Sequence, residues 1–224
     1  MVRDYTGKCS VRVWGCGGMG VRECAATFRY NAPTSRKDSM ELFEAIHTRQ
    51  SVSKVRPDPV PREVIEKLLA AAAQAPNHHK VRPWRFIVLT GAARERLGEA
   101  MGRSLLRRNP QAVPEAVAAD RAKPLRAPVL IAIGVDKPAG PKVVEIENVS
   151  AASAAAQNLL LAAHAMGLGA MWRTGDAAFD PDVKAALGLA PDQHLIGFIY
   201  IGYPQAELPP PNRPGAADRT VWME

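Results

Sequence analysis

Apolar and polar positions alternate in blocks along most of this chain, and the period of each block predicts its element. Asp38-Ser39-Met40-Glu41 has the form of a capping box, with Asp38 as N-cap and Glu41 at N3. Leu42, Phe43 and Ile46 then make one apolar helical face. A second helix opens at Pro61, carries Val64, Ile65, Leu68, Leu69 and Ala72 as its stripe, and stops before Pro76. Arg85 to Leu89 reads as a short strand, Ala92 to Arg108 as a helix, and Pro114 as the start of another helical piece. Ala127 to Val135 is too apolar for an exposed strand and is expected inside a sheet. Glu145 to Met166 is a long, Ala-rich helix, apolar nearly all round and so expected to be buried on most sides. Gly167 and Gly169 stop it, Gly169 to Trp172 reads as a strand, Asp180 to Leu187 as a short helix, and His194 to Tyr203 as the last core strand. Helices and strands do not alternate strictly, which predicts a single α+β domain. Prolines then crowd the stretch from Pro204 to Pro214, so residues 205–224 are expected to be extended.

Composition narrows the class. Of 224 residues, 47% are apolar and 23% charged, the balance of a globular protein and not of a disordered or collagen-like one. The longest apolar run, Ala127 to Val135, is far short of the ~20 residues that span a bilayer. With no secretory leader evident either, a cytoplasmic protein is expected. The net charge of +7 is uneven. Residues 1–38 hold seven Lys/Arg against three Asp/Glu, and they also hold all three cysteines, Cys9, Cys16 and Cys24. The body is only mildly basic and has no cysteine, so neither a disulfide framework nor a thiolate zinc site supports the main fold. With few aromatics and no aromatic-interleaved basic stripe, a nucleic-acid module is disfavoured. Gly15-Cys16-Gly17-Gly18-Met19-Gly20 satisfies G-x-G-x-x-G but lacks the βαβ context a dinucleotide site needs. Residues 1–39 are read as an N-terminal extension, either disordered or translated from a start codon placed too far upstream.

Four groups of residues carry candidate chemistry. Arg49-Gln50-Ser51 ends the first helix; an Arg fork beside a hydroxyl suits a phosphate, and a helix-capping Arg is the plainer alternative. Gln74 to Trp84 crowds polar and cationic groups into a loop between a helix and a strand, where ligands bind. The adjacent His78 and His79 diverge in an extended loop, so no metal is expected. Gly167 to Gly175 brackets a strand with glycines, which permits close approach of a flat ligand or simply makes turns. Arg103 to Arg126 is basic and broken by Pro; a solvated helix face is the first reading and a mobile lid the second. Nothing resembles an activated nucleophile, so enzymatic chemistry would belong to a cofactor.

In order, RQS at 49–51, APNHHKVRPWRF at 75–86, GLGAMWRTG at 167–175 and IGFIYIGYP at 196–204 resemble the nitroreductase family of FMN-dependent oxidoreductases, in its small, minimal branch. The resemblance spans residues 40 to about 204, and Met40 stands about where family members begin, although the Asp38 cap argues against Met40 as the start. It implies a three-layer fold with a central mixed sheet flanked by helices. It also implies an obligate homodimer with FMN at the interface, and NAD(P)H as hydride donor. Two electrons then pass to a nitroaromatic, quinone or similar small acceptor. Carried over by motif, Arg49 and Ser51 hold the FMN phosphate, with Gln50 contributing its backbone. Gln74 and His78 contact the flavin or ribityl chain, and Trp172, Arg173 and Thr174 line the site from the partner side. No side chain is required as a general acid. A C-terminal Arg, 213 or 219, is an undecided further phosphate ligand. Gln50, Lys80 and Arg82 depart from the family pattern; Lys80 and Arg82 add positive charge, which would tighten an anionic flavin or favour the phosphorylated nicotinamide nucleotide. Relatives on this fold also dehalogenate or reduce enes, and a non-catalytic flavin carrier is the other reading.

Overall fold

The structure, a computed structural model, describes residues 40–224. The glycine motif at 15–20, the three cysteines and Asp38 lie outside the described residues. Four strands form one sheet in the order β1-β2-β4-β3: β1 (Trp84–Leu89), β2 (Val129–Val135), β3 (Gly169–Arg173) and β4 (His194–Gly202). Every neighbouring pair is antiparallel, so the mixed sheet expected from the resemblance is corrected for these residues. The connections give the reason. Two helices, α3 (Ala92–Arg108) and α4 (Pro114–Ala122), join β1 to β2. Out along one helix and back along the next returns the chain to the end it left, so the next strand runs antiparallel. Two short helices, α6 (Asp176–Phe179) and α7 (Pro181–Ala186), do the same between β3 and β4. Only β2 and β3 are joined by a single helix, α5 (Glu145–Ala165), and these two parallel strands are separated by β4.

The sheet is the middle of three layers. All seven residues of β2 are buried, because alternate side chains meet helices on opposite faces. Val129, Ile131, Ile133 and Val135, with Ile199 and Ile201 of β4, pack against α2 (Arg62–Ala72) and α5. Leu130 and Ala132, with Phe198 and Tyr200, pack against α3 and the residues around α7. On α3, Gly98 lets α4 come close: a Cβ there would lie 2.2 Å from the Arg121 carbonyl oxygen. The basic stretch 103–126 packs through Ser104, Val117 and Pro124 while Arg103, Arg107, Arg108, Arg121 and Arg126 stay exposed, as expected of a solvated helix face. Asp180 shows how it is tied down. It is buried, caps α7 by accepting from the N–H of Asp182 and Val183, and accepts from Ser104 Oγ at 2.7 Å and from Arg107.

At the surface one helix start is corrected and two apolar flanks are open. The first helix, α1 (Leu42–Thr48), starts after Glu41, which makes no side-chain capping bond, so the Asp38 box does not begin it. Its apolar face is open: Leu42 is 64% exposed and Phe43 73%, while Ala45 is the buried residue. Helix α5 is buried on most sides, as expected, through Ala151, Ala152, Ala155, Ala156 and Leu159, and it leaves one flank open where Ile146 is 66% exposed beside Ser150 and Gln157. Apolar periodicity marks a face that shuns water without saying which surface covers it. Residues 205–224 hold no α-helix or strand, only a 3-10 turn at Ala217–Arg219. They are anchored where Val55 bridges Pro204 and Gln50 Nε2 donates to the Pro209 carbonyl at 2.9 Å.

Candidate functional site

Arg49 is the C-cap of α1, where its backbone N–H closes on the Ala45 carbonyl. The C-terminal segment returns to it: the Arg213 guanidinium donates to the Arg49 carbonyl oxygen. Among the described residues neither Arg49 nor Arg213 has a carboxylate within ion-pair distance, which leaves two uncompensated positive charges side by side. Partial burial and then the charge of Arg213 pull the Arg49 guanidinium below its ordinary value. Two like charges held together without an acid store repulsion that an anion relieves. His164, near the end of α5, completes this corner. Thr48 Oγ1 donates to the Glu44 carbonyl at 2.6 Å, so its 2.7 Å contact with His164 Nε2 assigns the imidazole proton to that nitrogen. Burial and then the positive charge of Arg49 hold the His164 pKa below its ordinary value, against the opposing pull of Glu44. Ser51 is exposed beside them. The sequence offered Arg213 and Arg219 without a choice; the fold brings Arg213 to Arg49. His164 and Thr48 escaped notice because they sit inside ordinary helical patterns.

The next segment is docked on the sheet edge. The Val52 N–H donates to the Ala170 carbonyl at 3.0 Å, which lays residues 49–52 along the start of β3. Trp172 and Arg173, further along β3, point to opposite faces of the sheet. Trp172 packs on the α5 side and donates from Nε1 to the Ile196 carbonyl at 3.0 Å. Gly197, with φ of +140°, makes this possible: a Cβ there would lie 2.5 Å from Trp172 Nε1 and 2.5 Å from the Arg173 carbonyl oxygen. Arg173 lies over the Tyr200 ring at 5.8 Å on the α3 side, and Thr174 borders the same cavity.

Gln74 and His78 lie elsewhere. Gln74 is exposed at the end of α2 and donates to its own helix at the Ala70 carbonyl, 3.3 Å away. His78 is exposed, stacks on His79 with centroids 4.0 Å apart, and contacts Glu147 at 2.8 Å through Nδ1. His79, Lys80 and Arg82 all have left-handed backbones, with φ of 52°, 56° and 51°. The bond from the Arg82 N–H to Asn77 Oδ1, at 2.8 Å, holds the loop in that form. Three such non-glycine residues in one loop store strain of about 1 kcal/mol or more each, which is commonest at functional sites. Among the described residues no cluster of three or more His, Cys, Asp or Glu is placed to hold a metal.

Within one chain the eight candidates therefore fall in separate places. Arg49 adjoins His164 and His78 adjoins Glu147. Those two α5 residues are separated by seventeen positions, about 25 Å of helix. Trp172, Arg173 and Thr174 follow Ala170 along the same sheet edge that carries Arg49-Gln50-Ser51 within one chain. The loop with Gln74 and His78 is the distant element.

The nitroreductase family model matches residues 46–203. The chain belongs to the nitroreductase family. The Escherichia coli protein named "Putative NAD(P)H nitroreductase YdjA" is 31% identical over 169 residues, covering 74% of this chain and 90% of that protein. A 5,6-dimethylbenzimidazole synthase from Rhodospirillum rubrum is 30% identical over 206 residues, covering 85% and 92% respectively. A Desulfovibrio desulfuricans protein whose crystal structure is in complex with FMN superposes with a TM-score of 0.63 at 27% identity, covering 82% of this nitroreductase-family chain and 96% of its own. No helix among the described residues is long and apolar enough to cross a membrane.

Proposed function

We propose that this member of the nitroreductase family is an FMN-dependent oxidoreductase, taking hydride from NAD(P)H and delivering two electrons to a nitroaromatic, quinone or similar acceptor. The observation that carries the reading is the Arg49–Arg213 pair, two guanidinium groups with no acid partner among the described residues, beside an exposed serine hydroxyl. That donor set fits the phosphate of FMN: planar forks for its oxygens, a hydroxyl donor, and relief of repulsion on binding. Arg49, Arg213, Ser51 and the Gln50 backbone would hold the phosphate, and Trp172, with the backbone of Arg173 and Thr174, would border the ring system. Bound flavin supplies the hydride and electron chemistry. The chain's own residues bind, orient and keep water from it, and none of them is assigned as a general acid.

The site in this reading is shared by two protomers. The open faces of α1 and α5 are the surfaces a second copy would cover, and a two-fold axis crossing the open flank of α5 brings one protomer's Arg49 end toward its partner's loop with Gln74 and His78. That exchange supports the homodimer and reassigns which motif comes from the partner.

The test is the visible spectrum of the purified protein, with chromatography of the cofactor released by heat. A flavin spectrum, FMN on release and bleaching by NAD(P)H support the reading; bleaching separates an enzyme from a flavin carrier. Reoxidation by nitroaromatics and quinones, compared with halogenated phenols and enones, distinguishes the reaction within the fold. A protein that neither contains nor takes up FMN refutes it.

A further inference from the structure

Opposite α5, between the α3–α4 pair and the sheet, lies a cavity of about 450 Å³. That is within the range of small-molecule sites. Four cations border it: Arg108, Lys123, Arg126 and Arg173. Asp176 pairs with Arg108 and Asp120 with Lys123. Among the described residues Arg126 and Arg173 have no carboxylate partner, so the cavity carries two uncompensated positive charges. Tyr200 also lines it; its residue is 7% exposed, its ring lies under Arg173 at 5.8 Å, and its hydroxyl has no hydrogen-bond partner among the described residues. Burial raises the pKa of that phenol while Arg173 and Arg126 pull it down, which places both cations within electrostatic reach of its oxygen. The rest of the wall joins apolar Met101, Leu105, Ala177 and Phe198 to the turn at Thr174-Gly175.

We propose that this cavity is a second ligand site, taking a phosphorylated small molecule with an apolar or aromatic body. Two guanidinium forks and a phenol O–H match a dianionic phosphoryl group, whereas a monocarboxylate would leave one charge unmet. Met101, Leu105 and Phe198 receive the body. The site differs from the one assigned to flavin phosphate, because Phe198 and Tyr200 face α3 while Trp172 faces α5. The two share only the turn at Arg173-Thr174-Gly175.

Calorimetric titration of the full-length protein, in the flavin state in which it purifies, with AMP and with inorganic phosphate at constant ionic strength tests this. The expected result is one AMP per chain, bound more tightly than inorganic phosphate. Arg126→Gln weakens it by about tenfold or more, as for a lost charge-assisted hydrogen bond. Arg126→Lys recovers part, Tyr200→Phe weakens it less, and Arg49→Ala leaves AMP binding unchanged. Flavin content stays at the wild-type level in Arg126→Gln. The proposal is overturned by no AMP binding, by equal affinity for AMP and phosphate, or by Arg126→Gln binding AMP as well as wild type. Loss of flavin in Arg126→Gln also overturns it, since the cavity would then be part of the flavin site. A protein without flavin refutes the proposed function yet leaves the AMP titration a valid test of this cavity.

Discussion

Gly197→Ala tests how the sheet positions the candidate site. The residue sits in β4 beside the register shift at Ile133/Gly134, with φ of +140°. An L side chain there carries strain of about 1–3 kcal/mol. Its Cβ would also lie 2.5 Å from both Trp172 Nε1 and the Arg173 carbonyl oxygen. The carbonyl belongs to the paired β3 backbone and cannot swing away, so the β3–β4 pair must shift locally and Trp172 loses its 3.0 Å bond to the Ile196 carbonyl. That loss adds about 1 kcal/mol. The sum is about 2–4 kcal/mol, or a fall in Tm of about 4–16 °C for a unit of this size. Urea unfolding followed by circular dichroism measures the stability, and the tryptophan fluorescence that disappears in Trp172→Phe reports on Trp172 among the four tryptophans. Trp172→Phe, which removes the indole N–H and part of its packing but leaves Gly197 in place, should lack the backbone-strain component. A Gly197→Ala protein with wild-type Tm and unchanged fluorescence would refute the reasoning.

The other predictions concern charge and surface. Arg49→Ala should raise the FMN dissociation constant about 10- to 150-fold, for a lost charge-assisted bond of about 1.5–3 kcal/mol; fluorescence titration of the apoprotein measures it, and unchanged affinity removes Arg49 from the phosphate site. Asp180→Ala removes a helix cap and strands Ser104 and Arg107, a loss of about 2–4 kcal/mol in urea unfolding. Although burial opposes it, hydrogen bonds to Ser104, Arg107 and the α7 amides hold the Asp180 pKa below its ordinary value. Its contribution is thus complete above the ordinary carboxylate pKa and disappears as pH falls through the lowered one; a wild-type minus Asp180→Ala difference that is flat with pH counts against it. His164 should titrate below an ordinary histidine without FMN and move upward when FMN binds, since an added anion offsets Arg49; histidine NMR follows it. Because its folded pKa is depressed, its stabilising contribution is present above the ordinary histidine pKa and lost below the depressed one. Phe43→Asp should convert a dimer to monomers in sedimentation and lower flavin retention, while a monomeric wild type removes the premise.

Most elements were legible from periodicity because they are also buried. Ala92 to Arg108 is the helix the pattern predicts, and the run ending at Val135 is the central strand because only a strand covered on both faces is apolar at every position. The open apolar flanks share a cause. Leu42 and Phe43 signal a face that avoids water, and Ile146 does the same on α5, but local pattern does not say whether the cover comes from the same chain. Antiparallel pairing of all four strands depended on counting the helices between strands, which the pattern allows but motif resemblance obscured.

The sequence by itself determined the helices and strands, the α+β class, and the residue types that suit a phosphate, since these depend on short-range periodicity and side-chain chemistry. Only the tertiary structure decided that Arg213, and not Arg219, reaches Arg49, that Trp172 and Arg173 serve opposite faces of the sheet, and that Arg49 and His78 lie at opposite ends of α5. Each of those facts joins residues far apart in the chain or turns on the pleat of one strand. Proximity of that kind is set by packing the whole unit, and no local pattern encodes it.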